Sequence, residues 1–213
     1  MTQCRHWPAV LLALYVPVWV LCAIEPLYPS DWLLENVLVF LFVPLIIWQH
    51  RRAPATNAAY ACLFLFFCLH SLGSHYTYAE VPYDRWWQSL TGSTFNELAG
   101  WQRNHYDRLV HFAYGLLTTP IWVGILQRHV HGLRGLWCWL VPLTFMMSHS
   151  LAYELIEWVA ALLFGGDLGE AYLGTQGDVW DAHWDMLLAS SGSAVTLAIM
   201  AATGSLSAPP ANN

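Results

Sequence analysis

Apolar residues along this chain neither alternate nor keep to a narrow face. They run together in six stretches, parted by short polar interruptions and one long one. A bilayer hydrocarbon core about 30 Å thick takes about 20 residues of helix to cross. A segment that is apolar on every side reads as a helix surrounded by lipid or by other helices. The pattern predicts helices at about 7–24, 32–48, 58–72, 106–127, 136–164 and 179–202. The expected fold is therefore all-α, a polytopic membrane bundle of about six transmembrane helices. One domain covers 1–203 with a long outer loop at about 73–105, and 204–213 reads as a flexible C-terminal tail. The first stretch follows a lone Arg5, as a signal peptide would, but it holds Pro17 and Trp19 and lacks a small-residue cleavage site. It reads as a retained helix. Pro17, Pro44, Pro120 and Pro142 fall inside predicted helices, a placement membranes tolerate because packed neighbours satisfy the freed carbonyls.

Composition sharpens this picture. The chain of 213 residues is 57% hydrophobic and only 10% charged, where soluble domains carry about a quarter charged residues. It has no lysine, its eight basic residues are all arginine, and its net charge is −6. No basic face exists for phosphates, so a nucleic-acid partner is excluded. The five cysteines (Cys4, Cys22, Cys62, Cys68 and Cys138) lie scattered through apolar runs without CxxC or CxxH spacing, and read as small buried hydrophobes.

Charge also orients the chain. Arg5, Arg51, Arg52, Arg128 and Arg134 fall on one side of a six-helix arrangement, and Arg85, Arg103 and Arg108 on the other. The positive-inside rule then puts both termini in the cytoplasm. Every acidic residue, from Glu25 to Asp185, lies in an outer loop or the outer half of a helix, which makes the outer face a cation-attracting mouth.

Candidate chemistry converges on that face. The third helix ends in His70-Ser71-Leu72-Gly73-Ser74-His75, where the glycine is expected to stop the helix between two imidazoles. The fourth opens with Asn104, Asp107 and His111, whose spacings of three and four put them on one side. The fifth carries Ser150, Glu154 and Glu157 on one stripe, and the sixth opens with Gln176, Asp178, Asp181, His183 and Asp185. Glu154, Glu157, Asp181 and Asp185 would together cost on the order of 10 kcal/mol if left unpaired within a membrane. They must be paired, protonated, hydrated or metal-bound. Candidate partners are Arg103, Arg108, His70, His75, His111, His183 and a cation.

The strings HSLGSHYTY (70–78), NHYDRLVHF (104–112), YELIEW (153–158) and GTQGDVWDAHWDM (174–186) resemble the YjdF-like bacterial inner-membrane family, whose function is uncharacterised. The resemblance covers most of the chain from the second helix onward, and its most specific part is GTQGDxWD. It implies a multi-pass protein of the bacterial inner membrane. A more distant likeness is to VanZ-like membrane proteins, where an Asp-(Lys/Arg)-x-x-His-Phe motif opens one helix, an acidic residue ends a later one, and spaced acidic residues open the next. Asp107-Arg108 with His111-Phe112, then Glu154 or Glu157, then Asp181 and Asp185 follow that order. VanZ-like proteins are associated with glycopeptide-antibiotic resistance, and the likeness carries no reaction with it.

Three functional readings stand open. In the first, the chain is a metal-dependent membrane hydrolase acting on a lipid or an envelope small molecule. His70, His75, Asp107, His111, Asp178, Asp181 and Asp185 are then the candidate ligands for Zn, Mn or Fe, with Glu154 and Glu157 as candidate general bases. Asn104, Arg108, Gln176 and His183 complete the polar site. In the second, the cluster is a structural network of a non-catalytic scaffold or binding protein. In the third, it is the mouth of a cation or proton transporter, against which stands the scarcity of ionisable residues in the inner halves of the helices. The bilayer is the expected partner. The tryptophans near helix ends, such as Trp7, Trp32, Trp48 and Trp101, read as an interfacial belt.

Overall fold

A computed structural model of the chain describes residues 6–130, 132–164, 166, 173 and 175–206. Cys4, Arg5, His131, Asp167, Glu170, Gly174 and the tail beyond residue 206 lie outside these. Among the described residues there are eight helices and no strand. They are α1 (Trp7–Ala23), α2 (Pro29–Arg52), α3 (Asn57–His75), α4 (Tyr83–Thr91), α5 (Phe95–Ala99), α6 (Tyr106–His129), α7 (Trp137–Phe164) and α8 (Asp181–Ala202). The six long ones coincide with the apolar stretches. Helices α2, α3, α6 and α8 are each long and apolar enough to cross a membrane. Helix α1 is shorter at 17 residues, while α7 has 28, about 42 Å of rise, and is made less apolar by His149, Glu154 and Glu157. Pro17, Pro44, Pro120 and Pro142 are all inside helices.

Two local expectations are corrected. Gly73 does not stop α3, which continues to His75. A side chain there would strike the ring of Tyr78, its Cβ only 2.6 Å from Cε1, so the glycine clears space for a returning aromatic. Asn104 and Asp178 both precede their helices, which begin at Tyr106 and Asp181.

The tightest seam is between α6 and α8. Gly115 lies against the carbonyl of Ala189, and Gly192 against the carbonyl of Phe112, so close that neither position has room for a Cβ. Small residues that let backbones meet are what hold helices together in lipid, where apolar burial gives no advantage. Thr119 donates to Ser193 Oγ at 2.9 Å and Thr196 donates to the carbonyl of Leu116 across the same seam. Helix α3 packs between α1 and α6 around Tyr15, Leu63, Phe67 and Ile121. Helix α7 leans on α8, and α2 rests on α3.

The predicted outer loop folds into α4 and α5. Gly92 ends α4 in the left-handed region at φ +85°, and Thr94 with Glu97 forms a capping box that starts α5. Trp86, Trp87, Leu90, Phe95, Leu98 and Trp101 form an exposed apolar face on this pair. Cys22, Cys62, Cys68 and Cys138 are all free thiols, and of these only Cys138 is fully buried.

Candidate functional site

The N-terminal ends of α6 and α8 are joined by arginine. Arg103, just before α6, donates to Asp181 Oδ1 at 2.5 Å and to the carbonyl of Thr175 at 2.7 Å. Arg108, one turn inside α6, donates to Asp178 Oδ2 at 2.5 Å. Asn104 and Gln176 add a reciprocal pair: Gln176 Nε2 donates to the Asn104 carbonyl and the Asn104 amide donates to Gln176 Oε1, each at 3.0 Å. These five hydrogen bonds lace the start of α6 and the loop before it to the start of α8 and the loop before it. The Trp180 amide, which donates to Asp178, and the two guanidinium groups hold the Asp178 carboxyl below the usual carboxylate range. A depressed folded-state value means that Asp178 stabilises the fold above the unfolded carboxylate range, and that this contribution is lost as pH falls through the folded value. Melting curves of wild type and Asp178→Asn should therefore differ at neutral pH and converge as acid is added.

Below this lacing, the helix spacing of four brings Asp107 and His111 together, with His111 Nε2 3.5 Å from Asp107 Oδ1. Asp185 reaches in from α8. One ligand atom from each of Asp107, His111 and Asp185 lies within 4.8 Å of the others. Asp185 is 2% exposed and its Oδ1 has no hydrogen-bond partner. On the other side of the imidazole, His111 Nδ1 is 3.9 Å from Glu154 Oε1 of α7. This is an ion-pair distance, too long for a hydrogen bond, and Glu154 Oε1 has no hydrogen-bond partner.

Asp107 and His111 also line one end of a cavity of about 400 Å³ between α2, α3, α6 and α7. Glu35, His70, Tyr78, Tyr153 and Glu157 complete its polar end. Tyr153 donates to Glu35 Oε2 at 3.1 Å, joining α7 to α2. Tyr78 bonds His70 Nδ1. Burial keeps the Tyr78 phenol protonated by pushing its pKa well up, and it reaches His70 from a loop where Thr77 and Tyr78 both hold positive φ, +52° and +55°. Non-glycine residues rarely adopt that conformation. The rest of the lining is mostly apolar, with Leu38, Leu63, Phe66, Ile121 and Ile125 in its walls, interrupted by Gln49, Thr118, His149 and Ser150.

The structure thus sorts the residues singled out in the sequence. Asp107, His111 and Asp185 form one group, with Glu154 beside it and His70 and Glu157 in the adjoining cavity. Asp178 and Asp181 are engaged by Arg103 and Arg108, although Asp181 Oδ2 remains unpartnered. His75 turns away and bonds the Cys22 carbonyl at 3.0 Å, since five residues along a helix separate it from His70 by well over a quarter turn. His183 packs on Trp180 outside the group. Sequence reasoning missed Glu35, Tyr78 and Tyr153. The signal for Glu35 was its spacing of four from Asp31 in an otherwise apolar helix. Asp31 is 1% exposed with both oxygens unpartnered.

Fold and site together define a class: a multi-pass helical membrane protein with carboxylates and imidazoles gathered at one end of its bundle. The chain belongs to the family described as "Predicted membrane protein (DUF2238)", which it matches over residues 7–205. It is similar to inner membrane protein YjdF of Escherichia coli (strain K12), with 38% identity over 172 residues that cover 80% of this chain and 77% of that one. No solved structure matches. Family, relative and apolar helices make this a multi-pass protein of the bacterial inner membrane. The likeness to VanZ-like proteins rests on its short motifs alone.

Proposed function

We propose that the chain is a metal-dependent membrane hydrolase whose metal is held by Asp107, His111 and Asp185. The observation that carries this reading is the convergence of their three ligand atoms within 4.8 Å, at the head of an apolar cavity. One imidazole and two carboxylates suit Zn²⁺, Mn²⁺ or Fe²⁺, and a buried Asp185 oxygen without a partner supports a missing ligand there. In this reading Glu154, 3.9 Å from His111 Nδ1, acts on that imidazole through its charge, and Glu157 acts as general base. A metal held there would supply Lewis-acid polarisation of a substrate carbonyl oxygen. Glu157 takes a proton from water, the water oxygen bonds to the carbonyl carbon, and the carbon–oxygen bond to the leaving alcohol breaks. That alcohol departs with the proton from Glu157.

The lattice of Arg103, Arg108, Asp178 and Asp181 is the part of the cluster with a purely structural role. Both termini are cytoplasmic in this reading, with the acidic end outside. A phosphatase fused after Ala202 should be inactive, and activity there would reverse the orientation. Elemental analysis of the detergent-purified protein tests the metal. About one equivalent is expected in wild type and in Asp178→Asn, with loss from His111→Ala and Asp185→Asn while both variants stay folded. Metal-free wild type purified from metal-replete medium, or His111→Ala that retains its metal, would refute the site.

A further inference from the structure

The cavity beside the metal group has a shape and a charge that select a ligand. Its lining runs along α2 from Glu35 to Gln49 and along α6 from Asp107 to Ile125. At 1.5 Å per residue those spans are about 21 and 27 Å. Helix α7 contributes to the wall only between His149 and Glu157, so the lower part lacks a wall from α7. Leu41, Leu45 and Ile156 line the cavity and are 58%, 42% and 53% exposed, so the wall they form is open. The cavity therefore opens sideways, through the helix surfaces that face acyl chains. It is long and mostly apolar, with Gln49, Thr118, His149 and Ser150 as its polar exceptions along the way, which fits one hydrocarbon chain better than a bulky soluble solute.

The polar end names the head group. Glu35, Asp107, His111 and Glu157 line it, and both arginines of this region are already engaged by Asp178 and Asp181. Even where a divalent metal offsets Asp107 and Asp185, Glu35 and Glu157 remain. In either protonation state they have no positive charge to offer a phosphate or a free carboxylate. They accept hydrogen bonds from hydroxyl groups. His70 supplies the complementary group. The Tyr78 hydroxyl has no other acceptor and donates to His70 Nδ1, which leaves the ring proton of the neutral imidazole on Nε2. That atom is buried, in a side chain only 4% exposed, and although the Glu35 backbone carbonyl is its neighbour, no bond of ordinary length and angle joins the two. A buried donor so poorly satisfied, in a side chain that lines the cavity, can turn to an acceptor oxygen of the occupant.

We infer that this cavity binds a single-chain acyl ester of a polyhydroxy alcohol, taken in laterally from the bilayer. The ester carbonyl accepts from His70, the free hydroxyls face Glu35 and Glu157, and the chain lies between α2, α3 and α6. The inference deepens the reading of the metal group by naming the substrate class of the same site, and its test is one of binding alone.

Photo-crosslinking tests it, with three probes that carry the same diazirine-bearing chain: a monoacylglycerol, a lysophosphatidate and a long-chain amine. In wild-type protein in nanodiscs, the monoacylglycerol should label peptides containing Leu38, Leu63 or Ile121, at least tenfold above the lysophosphatidate. The amine tests charge alone; labelling by the amine equal to or above that by the monoacylglycerol would overturn the ester assignment. Leu45→Trp and Ile156→Trp, on the open lipid-facing rim, should each bring specific labelling to background with an unchanged melting temperature. His70→Phe should lower labelling by the ester with little effect on the amine. Equal labelling by monoacylglycerol and lysophosphatidate, or labelling undiminished in both folded rim variants, would overturn the proposal. Metal content measured on the same samples separates the two readings. Metal without labelling defeats the ligand, and labelling without metal defeats the hydrolase.

Discussion

Gly192→Leu is expected to abolish recovery of folded protein from the membrane, whereas Gly124→Leu on the facing helix should be recovered at wild-type yield. A Cβ at Gly192 would lie against the Phe112 carbonyl and within 2.8 Å of the Leu116 amide, both backbone atoms that have no rotamer to give. Overpacking by side-chain atoms alone costs about 1–3 kcal/mol. Here α6 and α8 must move apart as rigid bodies, which also breaks the bonds from Thr119 to Ser193 and from Thr196 to Leu116. Gly124 lies two and a half turns below Gly115 on α6 and has nothing within 4 Å of its would-be Cβ. The comparison thus separates loss of close approach from loss of a glycine. Size-exclusion profiles after detergent extraction check it, and a monodisperse Gly192→Leu would disprove the account.

Arg103→Met is expected to destabilise the protein by about 1–3 kcal/mol, the usual consequence of taking a charged donor from a buried acceptor. The partner is Asp181, 3% exposed, whose Oδ1 loses its closest donor and keeps only Arg108 at 3.5 Å, while Oδ2 is already unpartnered. Adding Asp181→Leu to Arg103→Met should return most of that loss, because no uncompensated carboxylate then remains. The return stays about 1 kcal/mol short, since the Thr175 carbonyl has also lost its bond from Arg103. Thermal melts of the single and double variants measure this. A double variant no more stable than Arg103→Met would mean that the guanidinium acts through packing rather than charge.

The helices were legible in the sequence because bilayer thickness imposes a length and lipid imposes an unbroken apolar composition, and neither depends on tertiary partners. Pairs one turn apart, such as Asp107 with His111, were legible for the same local reason. What joins different helices was not. The choice of Arg103 for Asp181, and of Asp185 for His111, depends on the axial stagger of α6 against α8, which Gly115 and Gly192 set. His70 and His75 looked equivalent beside Gly73, yet the continued helix turns one toward the cavity and the other toward α1. Glu35 was hidden for a different reason. It belongs to an apolar helix without a motif, and only the gap between α2 and α7 gives its carboxyl a role.

The α6–α8 seam also orders the making of the protein. Asp107 and His111 emerge from the ribosome more than seventy residues before Asp185, the third member of their group, and α8 is the last helix in the described chain. Until that helix is inserted, nothing lies against Gly115, Arg103 has no Asp181 and the group has two members of three. A nascent chain halted after α7 therefore lacks Asp185 and Asp181. The three-residue group can assemble only once the final span has docked against α6.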